Sequence, residues 1–589
     1  MTISDTTATS TVRPWLDADL PVDERVQLLL DAMTIEEKAG LFFHTMIAIG
    51  DLEEPNPVFA TPSAREFLET KRMTHFNLLG AAPTGREIAA WHNALQRLAA
   101  STRLGIPVTL STDPRHSFSE NPGASILAGP FSQWPETLGL AATRDEALVE
   151  RFADIARQEY TAVGLRVALH PQVDLATEPR WARQTATFGE DAELSGRLGA
   201  AYIRGFQGAS FGPGSVSTMT KHFPGGGPQK DGEDPHFPYG REQVYPGGEF
   251  ELHLKPFEDA LAAGTRQMMP YYGMPVGTEY EEVGFGFNKS VITGLLRERY
   301  GFDGVVCTDW GLISDSEIFG QPFPARAWGV EHLTPRERMK KVLDAGADQF
   351  GGEANPELLL ELVADGEVTE ARLDVSARRI LREKFELGLF ENPYVDEDAA
   401  DDIVGRADFR AAGEDAQRAS ITVLSNDGAL PFVRGRKLYV EGIDAEIAAS
   451  FGEVVETPGE ADLAIIRLHA PFEERETMFE NFFHAGSLAF SEQVVAHVRE
   501  VADAVPTVVD VLADRPPILT PIVEAAAAVT VNWGASGAVL LDVLSGAFPA
   551  QGTLPFDLPR SMAAVEASRP DVPFDTADPL FRFGHGLSL

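Results

Sequence analysis

Short apolar runs alternate with helical patterns through the first two thirds of the chain. The runs lie at 106–113, 165–175, 216–223, 266–272, 301–311 and 346–352. Between them apolar residues recur at helical spacing, for example over 144–163 and 249–263. Apolar runs of this length are typical of parallel strands that are buried on both faces. So many strands alternating with helices predict an α/β fold with a (β/α)8-type barrel rather than an open sheet.

A second α/β pattern follows an acidic segment that contains a proline. Its strand-like runs read KLYVEGI, DLAIIRLH, TVVDVLA and VTVNW, and helical patterns separate them. This pattern predicts a smaller α/β sandwich with a mostly parallel sheet. The predicted organisation is a flexible arm over 1–20, the barrel over 21–390, a linker over 391–415 and the sandwich over 416–589.

Polar side chains stand at the ends of the predicted barrel strands. They are Asp113, His170, Lys221, His222, Tyr271 and Asp309. Active sites of barrel enzymes lie at the carboxyl ends of the strands, so these residues together predict the rim of one site. A carboxylate at Asp309 can attack a sugar while the Trp310 indole packs on the ring. On this stretch alone, a helix cap at Asp309 and core packing at Trp310 are equally consistent.

Composition and charge exclude several classes of protein. The chain has 589 residues and a formal net charge of −40, so we expect neither nucleic acid nor a membrane as a partner. Cys307 is the only cysteine, and its apolar surroundings predict a core residue rather than a disulfide or a metal ligand. No metal-binding motif appears, and we expect no metal and no cofactor. The start of the sequence lacks the pattern of a secretory signal, so a cytoplasmic location is expected.

The glycine-rich stretch PGGGPQKDGEDPH follows Lys221 and His222. It matches neither a Walker loop nor GxGxxG, which weakens the hypothesis of a phosphate-binding barrel enzyme such as an aldolase using Lys221. Adjacent lysine and histidine side chains can instead bind sugar hydroxyls, and the cation can keep a nearby carboxylate ionised. Taken alone, His222 favours the alternative of a hydrogen-bonded core histidine.

Four stretches together resemble glycoside hydrolase family 3 in its β-glucosidase and exo-glucanase form. They are PRWARQTATFGED, KHFPGGG, GVVCTDWG and DPLFRFGHGLSL. The resemblance implies a barrel followed by an α/β sandwich, with the active site in the cleft between them. It implies that Asp309 is the nucleophile and Trp310 the aromatic wall beside it. The sugar-binding residues that it implies are Asp113, Arg183, Lys221, His222 and Tyr271.

The resemblance also implies that the second domain supplies the acid/base. The stretch RLHAPFEERETMFENFFHAGS follows a predicted strand of that domain. Its proline, aromatic residue and two carboxylates resemble the acid-bearing loop of the family. We therefore predict Glu474 as the acid/base, with Glu473 as the alternative and Glu476 or Glu480 behind them. The same charges are also consistent with a solvated loop.

These roles predict a retaining, exo-acting β-glycosidase, most consistent with a β-glucosidase, which forms a covalent glycosyl-enzyme. Alternatives are a β-xylosidase, an α-L-arabinofuranosidase or a β-N-acetylhexosaminidase of the same family, or a catalytically silent sugar-binding protein. The expected partner is a small-molecule glycoside, and a homo-oligomer is left open. The aromatic stretch 478–484 favours a small or aryl leaving group, and no tryptophan early in the second domain can clamp a second sugar against Trp310.

Overall fold

The computed structural model describes residues 13–57, 61–113, 116–119, 126–318 and 320–589. The strands of these residues are β1 (Phe43–Ala48), β2 (His75–Leu79), β3 (Thr109–Thr112), β4 (Leu165–Ala168), β5 (Ser217–Phe223), β6 (Glu242–Val244), β7 (Gln267–Pro270), β8 (Met274–Val276), β9 (Val305–Trp310), β10 (Ser316–Ile318), β11 (Gln321–Phe323), β12 (Gln349–Gly351), β13 (Thr422–Asn426), β14 (Lys437–Glu441), β15 (Glu453–Val454), β16 (Leu463–His469), β17 (Thr507–Leu512) and β18 (Ala528–Asn532).

The α-helices are α1 (Val22–Ala32), α2 (Ile35–Gly40), α3 (Gly85–Ala100), α4 (Thr137–Thr143), α5 (Glu146–Ala162), α6 (Ala192–Gln207), α7 (Phe250–Ala262), α8 (Pro335–Ala345), α9 (Pro356–Ala364), α10 (Glu370–Glu386), α11 (Glu397–Ile403), α12 (Ala407–Ser420), α13 (Ala445–Ala449), α14 (Glu492–Ala504), α15 (Thr520–Val523), α16 (Gly537–Leu544) and α17 (Met562–Ala567). Two π-helical segments, Glu66–Thr70 and Ser290–Arg299, take the place of a helix after β1 and before β9. None of the described helices is long and apolar enough to cross a bilayer.

Eight parallel strands close the barrel in the order β1-β2-β3-β4-β5-β7-β9-β12, which is also their order along the chain. The predicted (β/α)8-type barrel is confirmed. Apolar side chains fill part of its interior, among them Val167, Met219, Met269 and Cys307. The predicted core position of Cys307 is confirmed as well, and burial raises the pKa of its thiol well above the usual value. Because every strand runs the same way, all the carboxyl ends meet at one face.

The second domain is built on a six-stranded sheet in the order β13-β18-β17-β16-β14-β15. Only the pairing of β13 with β18 is antiparallel, so the prediction of a mostly parallel sheet is confirmed. Successive side chains of β16 pack into the two hydrophobic cores on opposite faces of this sheet. Ile465 packs with α16, whereas Ile466 packs with α14, because successive side chains of a strand point to opposite faces.

The predicted flexible arm and the predicted linker contain regular structure where they are described. Residues 1–12 of the predicted arm lie outside the described residues, but Trp15 is buried in a core shared with α1 and α10. The predicted linker 391–415 contains α11 and the first part of α12. The Asp396 carboxylate caps α11, and Ala400 packs into the barrel core, so the acidic composition there marks the exposed face of a docked helix.

Buried polar contacts join the two domains. The Glu190 carboxylate of the barrel accepts the backbone N–H groups of Asp557 (2.6 Å) and Phe574 (2.8 Å). In return the Asp571 carboxylate of the second domain accepts those of Gly247 (2.9 Å) and Glu249 (3.0 Å), just before α7 begins. These contacts fix the second domain against the barrel beside the face that bears the strand ends.

Candidate active site

Asp309 lies one residue before the end of β9 and is 7% exposed. One carboxylate oxygen, Oδ1, accepts the backbone N–H of Trp310 at 2.9 Å. The other, Oδ2, has no hydrogen-bond partner among the described residues and lies 3.8 Å from His222 Nε2. The strand therefore fixes the carboxylate and leaves one oxygen with its lone pairs available for chemistry.

A buried ion pair stands beside this carboxylate at the ends of β3 and β5. Lys221 Nζ donates to Asp113 Oδ1 at 3.0 Å, and both side chains are almost fully buried. His170, which follows β4, contacts the same Asp113 oxygen through Nε2. Three neighbouring strands thus converge on one carboxylate, and together these groups offer both donors and acceptors to a polyhydroxylated ligand.

His222 is held by Asp174, which the sequence analysis did not single out. Its Nδ1 lies 2.7 Å from Asp174 Oδ2, while Asp174 Oδ1 accepts the backbone N–H groups of His222 and Gly226. Burial raises the pKa of Asp174 to about 6, and burial with the nearby Arg183 lowers the pKa of His222 well below its usual value. We therefore assign a neutral His222 that donates through Nδ1 and presents the Nε2 lone pair to the site.

Arg183 lies beside Nε2 of His222, the ring nitrogen that Asp174 does not bind. Its Nη2 is 3.4 Å from His222 Nε2 and 3.5 Å from Gln172 Oε1. Burial by itself would lower the pKa of Arg183, but Tyr271 and the carboxylates of Asp234, Asp309 and Asp113 raise it. The guanidinium is therefore a fixed cation of the same cluster as Asp309.

Aromatic side chains complete the barrel side of the site. Tyr271 is fully buried and packs on His222 at a ring distance of 4.5 Å. Tyr272, another residue that the sequence analysis missed, donates its hydroxyl to the Trp310 carbonyl at 2.8 Å. The Trp310 indole lies against Gly352, where a Cβ atom would come within 2.7 Å of the ring. Glycine at that position leaves the space that the indole occupies.

A loop of the second domain, residues 471–487, reaches the rim of the barrel. Its aromatic residues share one cluster with aromatic residues of the barrel loops: Phe237, Phe323, Phe479, Phe482 and Phe483. Arg475 donates to Glu233 at 2.9 Å, which adds a polar contact across the cleft. His236 packs on Phe483 on one side and on Tyr272 on the other, at ring distances of 4.6 Å each. Contacts therefore run from the 471–487 loop to the backbone beside Asp309.

The four glutamates of the 471–487 loop differ in what they bind. Glu480 accepts from Thr477 through Oε2 and from Tyr239 through Oε1, so both of its oxygens are occupied. Glu473 Oε1 accepts the backbone N–H of Ser487 at 3.2 Å. Glu474 and Glu476 are exposed, and neither has a hydrogen bond or an ion pair to another described residue. Within this part of the chain, they are the glutamates with both oxygens available.

The structure brings together all of the predicted barrel residues. Asp113, Arg183, Lys221, His222, Tyr271, Trp310 and Asp309 contact one another directly or through one shared neighbour. It does not place Glu474 in contact with them. His170 and Asp174 both lie near the end of the predicted strand-like run 165–175, and the sequence analysis assigned a role to neither. Their position near the end of a strand was the signal that could have identified both.

Over the described residues, no group of three or more His, Cys, Asp or Glu side chains is arranged to hold a metal ion.

A buried carboxylate with an unpartnered oxygen lies among fixed donors and cations, and a loop with four glutamates reaches the rim, which fits the two-carboxylate chemistry of glycoside hydrolases. Residues 69–383 match the model of the glycosyl hydrolase family 3 N-terminal domain, and residues 411–589 match that of the family's C-terminal domain. The chain therefore belongs to glycosyl hydrolase family 3.

Individual relatives agree with the family match. The chain is 54% identical to a probable beta-glucosidase C of Aspergillus flavus, over 97% of this chain and 91% of the relative. It is 43% identical to a periplasmic beta-glucosidase/beta-xylosidase of Dickeya chrysanthemi, over 100% of this chain and 93% of the relative. The crystal structure of a beta-glucosidase from Listeria innocua with isofagomine has the same fold, with a TM-score of 0.76 at 22% identity, covering 96% of this chain and 83% of that one.

Proposed function

We propose that the chain is a retaining, exo-acting β-glucosidase that removes terminal sugars from small glycosides. The observation that carries the proposal is the unpartnered Oδ2 of the buried Asp309 at the tip of β9. The names of the Aspergillus and Dickeya relatives support glucose as the sugar.

In the proposed first step, Asp309 Oδ2 attacks the anomeric carbon and forms a glycosyl-enzyme, while an acid protonates the departing oxygen. Asp309 is among the acidic groups that raise the pKa of Arg183, so a fixed guanidinium lies in the same cluster, and burial keeps His222 neutral. In the second step water attacks the same carbon, and the acid acts as base.

The ion pair of Asp113 and Lys221 is proposed to bind the hydroxyls of the terminal sugar. Asp113 contributes carboxylate oxygens, which accept hydrogen bonds, and Lys221 contributes an ammonium group, which donates them. Trp310 offers an apolar face to the ring. Because these groups are already bonded to one another, little side-chain entropy is lost when the sugar binds.

Glu474 is the proposed acid/base, since it is exposed on the 471–487 loop and unpaired there. Bound substrate would shield it from water, which favours the protonated form before leaving-group departure. The barrel contains a rival proton donor. His236 Nδ1 lies 2.5 Å from Asp234 Oδ1, and the ring packs on Tyr272 beside the site. A histidine held in this way can transfer protons, so it enters the test below.

Trapping tests the nucleophile. Incubation with a 2-fluoro glucoside that carries a good leaving group should inactivate the enzyme. The fluorine slows both formation and hydrolysis of the glycosyl-enzyme, and the good leaving group offsets the effect on formation alone, so the intermediate accumulates. Peptide mapping should then find the label on Asp309. A label on any other residue would overturn the assignment.

Paired variants test the acid. Glu474→Ala should lose kcat/KM on glucosides with poor leaving groups and keep most of it with a dinitrophenyl leaving group. Azide should raise its kcat, because azide attacks the glycosyl-enzyme without a general base. Glu473→Ala and Glu476→Ala are the matched controls on the same loop. If Glu473→Ala or His236→Asn shows this pattern instead, the proton donor lies there.

A second candidate activity is β-xylosidase, because the Dickeya relative carries both activities in its name. A panel of nitrophenyl β-glucoside, β-xyloside, α-L-arabinofuranoside and N-acetyl-β-glucosaminide distinguishes the two and also tests the other members of the family. A cytoplasmic location remains a prediction. The relative from Dickeya is named periplasmic, and fractionation of the native cells would decide the question for this chain.

A further inference from the structure

A buried arginine of the second domain joins both ends of the 471–487 loop to the barrel. Arg515 lies three residues beyond the end of β17 and is fully buried. Its Nη2 donates to the carbonyl oxygen of Pro471 at 2.7 Å, and its Nη1 donates to those of Gly486 (3.1 Å) and Arg180 (3.0 Å). One guanidinium therefore bonds to the first residues of the loop, to the last ones, and to the other domain.

The chain around Arg515 is itself bonded to the loop on both flanks. Before the loop begins, the backbone N–H of Ala470 donates to the Leu512 carbonyl at 2.9 Å. After the loop ends, the N–H of Ile518 donates to the Leu488 carbonyl at 2.9 Å. Leu512 and Ile518 lie three residues on either side of Arg515. The side chain thus occupies the base of the loop, where it is held by the central strand β17.

The barrel acceptor of Arg515 belongs to the segment that enters the candidate active site. Three residues after Arg180, Arg183 contacts His222. Between them, Trp181 is buried and packs edge-on against Tyr271 at a ring distance of 6.3 Å. The Arg180 carbonyl therefore gives Arg515 a fixed acceptor on the barrel, against which the 471–487 loop is positioned.

The neighbouring residue supports the same end of the loop. The Asp514 carboxylate contacts Nδ1 of His484. The His484 ring stacks on the Phe472 ring at a centroid distance of 4.0 Å, with an angle of 6° between the planes. Phe472 immediately precedes Glu473 and Glu474 in the chain. Asp514 and Arg515 together contact the loop on each side of these glutamates.

We propose that Arg515 is a positioning residue for the proton donor: by bonding Pro471, Gly486 and Arg180, it sets where the 471–487 loop presents its glutamate above Asp309. This inference rests on the proposed role of that loop in acid catalysis. The planar guanidinium has five donors in fixed directions, which suits three carbonyl acceptors, whereas an ammonium group cannot span them. Small misplacements of a catalytic group cost on the order of 10²-fold in rate.

The test compares two leaving groups in an Arg515→Met variant. kcat/KM reports the glycosylation step, in which an alkyl glucoside needs the proton and a 2,4-dinitrophenyl glucoside does not. We expect kcat/KM for the alkyl glucoside to fall on the order of 10²-fold and that for the dinitrophenyl glucoside to fall less than about threefold. A role in stability alone would lower both values equally.

Arg166 provides a matched control. It is a buried arginine at the opposite face of the barrel that donates to four carbonyl oxygens, those of Ser215 (3.0 Å), Gly212 (3.5 Å), Pro213 (2.9 Å) and Leu387 (2.9 Å). Arg166→Met removes the same kind of bonds far from the cleft. It should lower the melting temperature without changing the ratio of kcat/KM values between the two glucosides.

An equal loss on both glucosides in Arg515→Met would overturn the inference and leave the proposed function intact. Uniform losses in the Glu473, Glu474 and Glu476 variants would instead overturn the proposed proton donor. If Arg515→Met does not fold, Arg515→Lys and Asp514→Ala provide the same comparison, since the first keeps the charge and the second removes only the His484 contact. Each should show the same preference for the dinitrophenyl glucoside to a smaller degree, and its absence in both would contradict the proposal.

Discussion

The two sides of the cleft are built in different ways. On the barrel side, Asp309, Lys221 and His222 stand on strands, are buried, and are bonded to fixed neighbours. On the second-domain side, Glu474 and Glu476 are exposed on an irregular loop that is held at its base by Arg515 and at its tip by aromatic packing. The barrel side is therefore preorganised for one sugar, whereas the loop side can adapt to different leaving groups.

The largest effect that this comparison predicts is on the barrel side. Asp309→Ala removes the proposed nucleophile, and kcat/KM for an aryl glucoside should fall by at least about 10⁴-fold. Circular dichroism should stay close to that of the unmodified protein, and the melting temperature should fall only modestly. The substitution removes one hydrogen bond, from the Trp310 N–H to Oδ1, and Oδ2 has no hydrogen-bond partner among the described residues. A variant that keeps more than about a tenth of the activity would contradict the assignment.

The next effect tests whether the barrel site is preorganised by its ion pair. Lys221→Met removes the ammonium group that donates to the buried Asp113, and we expect kcat/KM to fall by about 10²-fold and stability to fall by about 3 kcal/mol. Lys38→Met is the matched control, since Lys38 is a buried lysine paired with Glu370 and Asp374 at 2.7 Å each, away from the strand ends. It should lower stability while KM stays unchanged. Equal changes of KM in both variants would show that Lys221 acts only through the fold.

Acid pH should lower the stability of the barrel more than that of the second domain. In the described part of the chain every buried histidine lies in the barrel. Burial lowers the pKa of His44 to about 3 and of His92 to about 4, and that of His75 falls well below its usual value. Below pH about 6.5 the unfolded chain binds protons at these sites and the folded barrel does not, so stability falls as the pH decreases, by up to about 1.4 kcal/mol per pH unit for each histidine.

Hydrogen exchange followed by mass spectrometry at pH 7 and pH 5 measures this difference. Barrel peptides should lose protection first at pH 5. His75→Asn should reduce the pH dependence of unfolding, whereas a change at the exposed His497 to Asn should not. Equal loss of protection in both domains would mean that the contacts of Glu190 and Asp571 make the two unfold as one unit.

The smallest effect is expected at the tip of the loop. Tyr239→Phe removes the hydroxyl that donates to Glu480 at 2.9 Å between two partly exposed side chains. We expect the free energy of unfolding to fall by less than about 1 kcal/mol and kcat/KM to fall by less than about threefold. Steady-state kinetics and a thermal melt provide both values. A tenfold loss would show that the loop is held as rigidly as the barrel site, and the contrast between the two sides would fail.

The errors in the sequence analysis concern residues whose burial or contacts depend on distant parts of the chain. Strands β1 and β2 were not predicted, because their buried residues include His44, His75 and Asn77, which interrupt the apolar pattern. Asp174 was missed because its partner His222 lies 48 residues further along the chain, and only closure of the barrel brings them together. Composition predicts a flexible arm over 1–20 and a linker over 391–415, whereas Trp15 and Ala400 are buried against the barrel.

The sequence by itself determined the alternation of strands and helices, the polar residues at strand ends, and the family to which the chain belongs. These properties depend on local spacing, because a buried strand must be apolar and its end must carry whatever polar groups the site uses. Only the tertiary structure decided which oxygen of Asp309 is free, which charges surround it, and that Arg515 of one domain bonds to Arg180 of the other. Those properties depend on distances between residues far apart in the chain, and no local pattern encodes them.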